Sequence, residues 1–140
     1  MAAFNKFNSF VEALAEKKHD LGADTLKVML TNTAPVATNA VKADLTEISA
    51  GNGYTAGGNT ASVTSSAQTS GTYKLVLGDP ATWTASGGSI GPFRYAVLYN
   101  DTAASDELIG WWDYGSSITL ASGESFAVDF DPTTGVLTLA

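Results

Sequence analysis

The chain has 140 residues, the size of one domain, with no cysteine, one histidine and a charged fraction of 15%, where about a quarter is usual. Lack of cysteine excludes a disulfide framework, a thiol nucleophile and a thiolate metal site, and leaves the redox compartment open. A net charge of −7, with Arg94 as the single arginine, opposes nucleic-acid binding, because neutralising phosphate needs clustered Lys and Arg.

The first element is a helix within residues 1–22. Phe7, Phe10, Val11 and Leu14 fall at i, i+3, i+4 and i+7, one stripe of a helix surface. Ser9 and Glu12 have capping-box spacing, with Asn5 or Asn8 as alternative caps, and Lys17, Lys18 and His19 fall where a helix dipole favours cations. Gly22 is expected to end it. Such a helix either covers an end or edge of the following sheet region or docks as an arm on a neighbouring subunit.

From Thr25 the period changes to two: Leu26, Val28 and Leu30 alternate with Lys27, Met29 and Thr31, as in a strand with one face inward. Residues 32–59 read as a long loop containing Ala34-Pro35, the weak strand candidate Leu45-Thr46-Glu47-Ile48, and the glycine-rich run Gly51 to Gly58. Loops of this length in a compact domain usually carry contacts or lie ordered on a partner, so the segment is the leading interaction candidate on physical grounds, with a plain surface loop as the alternative.

Short strands are then expected at 60–64, 73–77, 82–84, 93–99, 108–114, 118–120, 126–130 and 136–139. Segments 93–99 and 108–114 are apolar on both faces, which places them centrally. Ser122-Gly123-Glu124 and Asp131-Pro132-Thr133-Thr134-Gly135 suit hairpin turns, so the last strands should run as an antiparallel meander. Many strands without intervening helices imply a mainly β fold: an antiparallel β-sandwich (jelly-roll-like) or a barrel, with one N-terminal amphipathic α-helix. Residues 1–140 thus form a single expected domain, the helix in 1–22 and the sandwich in 25–140.

Reactive constellations are weak. His19 is the only imidazole, in a position suited to helix-end carbonyls, and no G-x-S-x-G elbow accompanies it. The run Gly51 to Gly58 lacks the G-K-[ST] ending of a phosphate loop. Asp129 and Asp131 share one side of a strand and Asp113 lies within conceivable reach, a calcium possibility without the EF-hand pattern. Adjacent Trp111 and Trp112 must face opposite sides of a strand, so one fills the core while the other lies under the helix, in an interface or in a sugar-binding groove. No catalytic residue, cofactor or metal is expected.

No apolar run nears the roughly 20 residues that cross a bilayer, and Met1 to Lys6 lack the basic start and apolar stretch of a secretory signal. Synthesis in the cytoplasm and no membrane partner are the expectations.

The order of Phe4-Asn5-Lys6-Phe7, Leu26 to Thr31, Leu45 to Ile48 running to Gly53-Tyr54-Thr55-Ala56-Gly57-Gly58, Arg94 to Tyr99, Leu108 to Gly115 and Gly135 to Leu139 resembles a family of small structural proteins of tailed bacteriophages, over nearly the whole chain. The resemblance implies a virion component, foremost a capsid decoration or cement protein on the head surface. It would bind the major capsid protein and self-associate into a small homo-oligomer. Candidate interface residues on this reading are Phe4, Phe7, Tyr54, Trp111 and Trp112. A tail component (tube, terminator or fibre-associated) and a carbohydrate-binding adhesive module are the alternatives.

Overall fold

Two long strands organise the molecule. The structure, a computed structural model, describes residues 2–140. In chain order the elements are β1 (Asn5–Lys6), α1 (Ser9–Ala15), β2 (Leu26–Thr31), a 3-10 turn (Lys42–Asp44), β3 (Asn59–Thr60), β4 (Val63–Thr69), β5 (Thr72–Leu77), β6 (Trp83–Thr84), β7 (Ile90–Asn100), β8 (Leu108–Leu120), β9 (Ser125–Phe126) and β10 (Leu137–Leu139). Strands β7 and β8 pair antiparallel at the heart of a sheet ordered β1-β8-β7-β2-β3. A second sheet, β10-β5-β4, packs on it, and β6 pairs with β9. The fold is mainly β and sandwich-like, with antiparallel sheets and one short helix. Both sheets are open, so the expected barrel alternative is not formed. Among the described residues no helix is long and apolar enough to cross a membrane.

Register explains why the central sheet is apolar on both sides. Met29, Val97 and Trp111 lie in one cross-strand row, and Leu30, Ala96 and Trp112 in the next, so the two rows face opposite ways. The second row faces the main core, together with Val28, Leu98, Ile109, Phe93 and Ile90, and with Leu75, Leu77 and Leu137 of the other sheet. The first row joins a smaller core of Phe7, Met29, Leu45, Val97, Tyr99 and Leu108.

Two straps cover that second face by rounding the sheet edges. At the β8 edge, β1 pairs Asn5 with Trp111 and Lys6 with Gly110, and the Phe7 N–H continues to the Ile109 carbonyl. Extended backbone here sends Phe7 to the small core, while Phe10 enters the main one. Phe7 is therefore not on the helical stripe, and Val11 of that stripe is 47% exposed. The helix is seven residues, not the expected length to Gly22, because Lys17 takes a positive φ of 64° that interrupts it. It packs beside β8 through Phe10 and Ala13.

The second strap is the segment between β2 and β3. Its first half spans from the N-terminal strap (Asn8 N–H to Ala37 carbonyl) to the β7–β8 turn (Lys42 N–H to Asp106 carbonyl) and buries Leu45 in the small core. It then rounds the β2 edge, where Glu47 bridges Thr31 and the Ile48 N–H reaches the Leu30 carbonyl. Ile48 and Tyr54 end in the main core.

The C-terminal third departs from the expected meander. Segments 108–114 and 118–120 are one continuous strand, β8. After it, β9 crosses to β6 and β10 crosses to β5. Phe126 finds the rings of Trp83, Phe93 and Tyr114, and the Asp79 carboxylate accepts the Phe130 N–H at 2.7 Å. These contacts reward separate pairings over a local hairpin.

Candidate functional site

The Glu47 carboxylate is the polar centre of the second strap. Its Oε1 accepts the Tyr54 hydroxyl at 2.7 Å and the Gly57 N–H at 2.6 Å, and its Oε2 pairs with Lys42 Nζ at 3.0 Å. The Tyr54 oxygen also accepts the buried Leu30 N–H at 3.0 Å, and the Tyr99 hydroxyl donates to the Gly57 carbonyl at 2.6 Å. Burial raises the pKa of both phenols well above the ordinary tyrosine value, which keeps them as neutral donors. Gly58, at φ 77°, lets the strap pass against β2: a Cβ there would overlap the Val28 carbonyl. The glycine-rich run thus serves close approach to the chain's own sheet.

His19 is 5% exposed and sits beyond the helix. Instead of meeting helix-end carbonyls, its Nδ1 faces the Asn100 side-chain amide at 3.0 Å. That amide also donates to Asp24 at 2.6 Å, while its oxygen accepts the Thr102 and Ala103 N–H groups. The amide orientation is therefore set, and Nδ1 is the acceptor of a neutral imidazole. Burial lowers the His19 pKa, with Glu107 and Asp24 opposing. The cluster ties the α1–β2 connection to the β7–β8 turn, bordering a cleft of about 680 Å³ that also touches Lys18, Asp20, Ser66 and Tyr73.

The acidic candidates are separately engaged. Arg94 grips Asp113 with two bonds of 2.8 and 3.0 Å, which holds that carboxyl below the usual carboxylate range. Asp131 accepts the Thr133 and Thr134 N–H groups of its own turn and is likewise lowered. Asp129 is exposed. No group of three His, Asp or Glu side chains suited to a metal ion exists among the described residues.

The five candidate interface residues do not form one patch. Phe7 is fully buried against Trp111, ring centroids 4.5 Å apart, and Tyr54 is buried beside Trp83. Trp112, 9% exposed, lies between Phe4 at 5.4 Å and Phe130 at 5.3 Å. The two tryptophans do face opposite sides, but Trp112 is a core residue and Trp111 roofs the small core. Phe7, Tyr54 and Trp112 are thus corrected from surface to interior, because both sheet faces are covered by the chain itself. Phe4 and Trp111 remain partly accessible. The aromatic turned outward is Tyr114, 57% exposed, beside an apolar cleft of about 150 Å³ with Phe126 and Val128.

Two further features belong to the surface and its support. The hairpin β4–β5 is exposed from Thr64 through Thr72 on an open sheet edge. Glu47 is the sole charged residue between Asp44 and Lys74, and that isolation was the available signal for its structural role. Asn100 carried no such signal. No family model matches the chain, nor does any curated protein or solved structure.

Proposed function

We propose that this protein is a structural component of a tailed-bacteriophage virion, a decoration or cement protein that binds the outer head surface and bridges neighbouring capsid subunits. The observation that carries the reading is the doubly covered central sheet. Strands β7 and β8 pack one face on the second sheet and the other, at Val97, Tyr99, Leu108 and Trp111, under the chain's own straps, and the titratable candidates His19, Asp113 and Asp131 are engaged in holding turns and strands. Such a body resists deformation and presents a polar surface poor in charge, suited to gripping rather than to bond-making. Jelly-roll sandwiches recur in viral capsid domains, and two packed antiparallel sheets are the feature this chain would share with them. Many modest contacts on a repeating shell add through avidity, so individually weak interfaces suffice.

The test is addition of the purified protein to expanded heads lacking it, followed by cryo-electron microscopy and measurement of the rupture temperature. Ordered density on the outer shell and a raised rupture temperature are expected. Density confined to the tail, or unchanged rupture, refutes the cement role.

A further inference from the structure

Most edge strands in this fold are short: β1, β3, β6 and β9 have two residues each and β10 three. Strand β4 has seven and is outermost in its sheet along its whole length. Natural edges are guarded by charge, proline, bulges or a covering segment. Here the guard is one bulge between Val63 and Ser65, and residues 48–73 contain no charged side chain.

The hairpin turn defines which backbone groups are free. Ser70 and Gly71 both have positive φ, 50° and 84°, a two-residue turn of the primed kind, so flanking Thr69 and Thr72 form a hydrogen-bonded pair. Antiparallel alternation then directs the N–H and C=O groups of Ala67 and Ser65 toward β5 and those of Gln68 and Ser66 outward.

We propose that β4 is a self-pairing edge, through which two copies join antiparallel about a twofold axis at Ala67 and merge their three-stranded sheets. Ser66 of each copy exchanges backbone hydrogen bonds with Gln68 of the other, about four in all. Charge selects a second copy as the occupant. On a chain of net −7, a like-to-like contact that includes its acidic residues brings carboxylates together, whereas β4 meeting β4 opposes only neutral side chains. Ala67 opposite Ala67 is small enough for the close approach of a non-hydrogen-bonded pair. The contact is isologous, so it closes at a dimer instead of extending into a filament. This deepens the self-association that the phage resemblance implies for the proposed role and rests on that expectation alone.

Sedimentation equilibrium of the full chain from about 10 µM to about 1 mM tests it. A monomer–dimer equilibrium is expected. Ala67→Lys and Ala67→Asp should each weaken dimerisation at least about tenfold through like charges facing across the axis, and mixing the two variants should restore it. Ser66→Pro removes an outward N–H while leaving the β4–β5 ladder its bonds, and should abolish pairing. Thr119→Lys, on the open part of β8, should change nothing. Near-UV circular dichroism checks that each variant is folded; should Ser66→Pro fail to fold, the Lys and Asp mixture decides. Monomer throughout overturns both the edge and the self-association. A dimer indifferent to the β4 variants, or one lost on Thr119→Lys, overturns the edge and leaves self-association standing. Shell binding, measured separately, reports on the capsid role.

Discussion

Truncating Glu47 asks whether one carboxylate fastens the strap between β2 and β3. In Glu47→Ala the Tyr54 hydroxyl and the Gly57 N–H lose an acceptor at 2.7 and 2.6 Å, and Lys42 loses its partner. Hydrogen bonds to a charged group contribute about 1.5–3 kcal/mol each, and a partly exposed ion pair about 0–1 kcal/mol. Tyr54 keeps its bond from the Leu30 N–H, which limits the loss, so the expected cost is about 3–4 kcal/mol. For a domain of this size that lowers Tm by roughly 10 °C. Glu47→Gln retains an oxygen for Tyr54 and Gly57 but turns an amide donor toward Lys42, and should cost about half as much. Urea denaturation gives the free energies, and hydrogen exchange at Gly57 reports local release of the strap. A loss below about 1 kcal/mol for Glu47→Ala, or equal losses for Ala and Gln, would refute the assignment of this carboxylate as the fastening.

The His19 cluster predicts a pH dependence near neutrality. Its native pKa is lowered by burial, so the unfolded chain binds the proton first. Stability is then full above about pH 6.5 and falls as the pH drops from there toward the lower native value. Urea midpoints at stepped pH should show this slope, and His19→Gln should flatten it. Asp113 and Asp131, lowered in the native state, act only below about pH 4, a separate window. Gly58→Ala should cost about 3 kcal/mol or more, because positive φ and overlap with the Val28 carbonyl combine. Gly71→Ala, with open space around its Cβ, should cost only about 1 kcal/mol; comparable thermal shifts in the two variants would contradict this. Trp112→Ala should destabilise by about 3–5 kcal/mol and Trp111→Ala by clearly less. A stable Trp112→Ala protein that merely lost shell binding would return Trp112 to the interface.

Much of the strand content was legible because its causes are local. Alternation in Leu26 to Thr31 and the two-sided apolar runs at 93–99 and 108–114 mark β2, β7 and β8, whose long pairing builds the central sheet. The helix was legible in kind but not in extent. Its apparent stripe included Phe7, whose backbone instead continues the sheet beyond β1, a pairing to Ile109 over a hundred residues away. The interface candidates went astray for a related reason: an aromatic residue looks equally adhesive whether it meets a partner or its own strap.

Composition, periodicity and turn chemistry by themselves determined a mainly β chain, its central hairpin and its poverty of reactive groups. Tertiary structure alone decided that 32–58 covers one face of the sheet, that Phe7 and Phe10 enter different cores, that β9 and β10 part company, and that the outer edge of β4 is left unpaired. Side-chain period is a property of neighbouring residues. The choice of edge that a segment rounds is settled by competition among distant backbone partners and apolar surfaces, and no local window contains that competition.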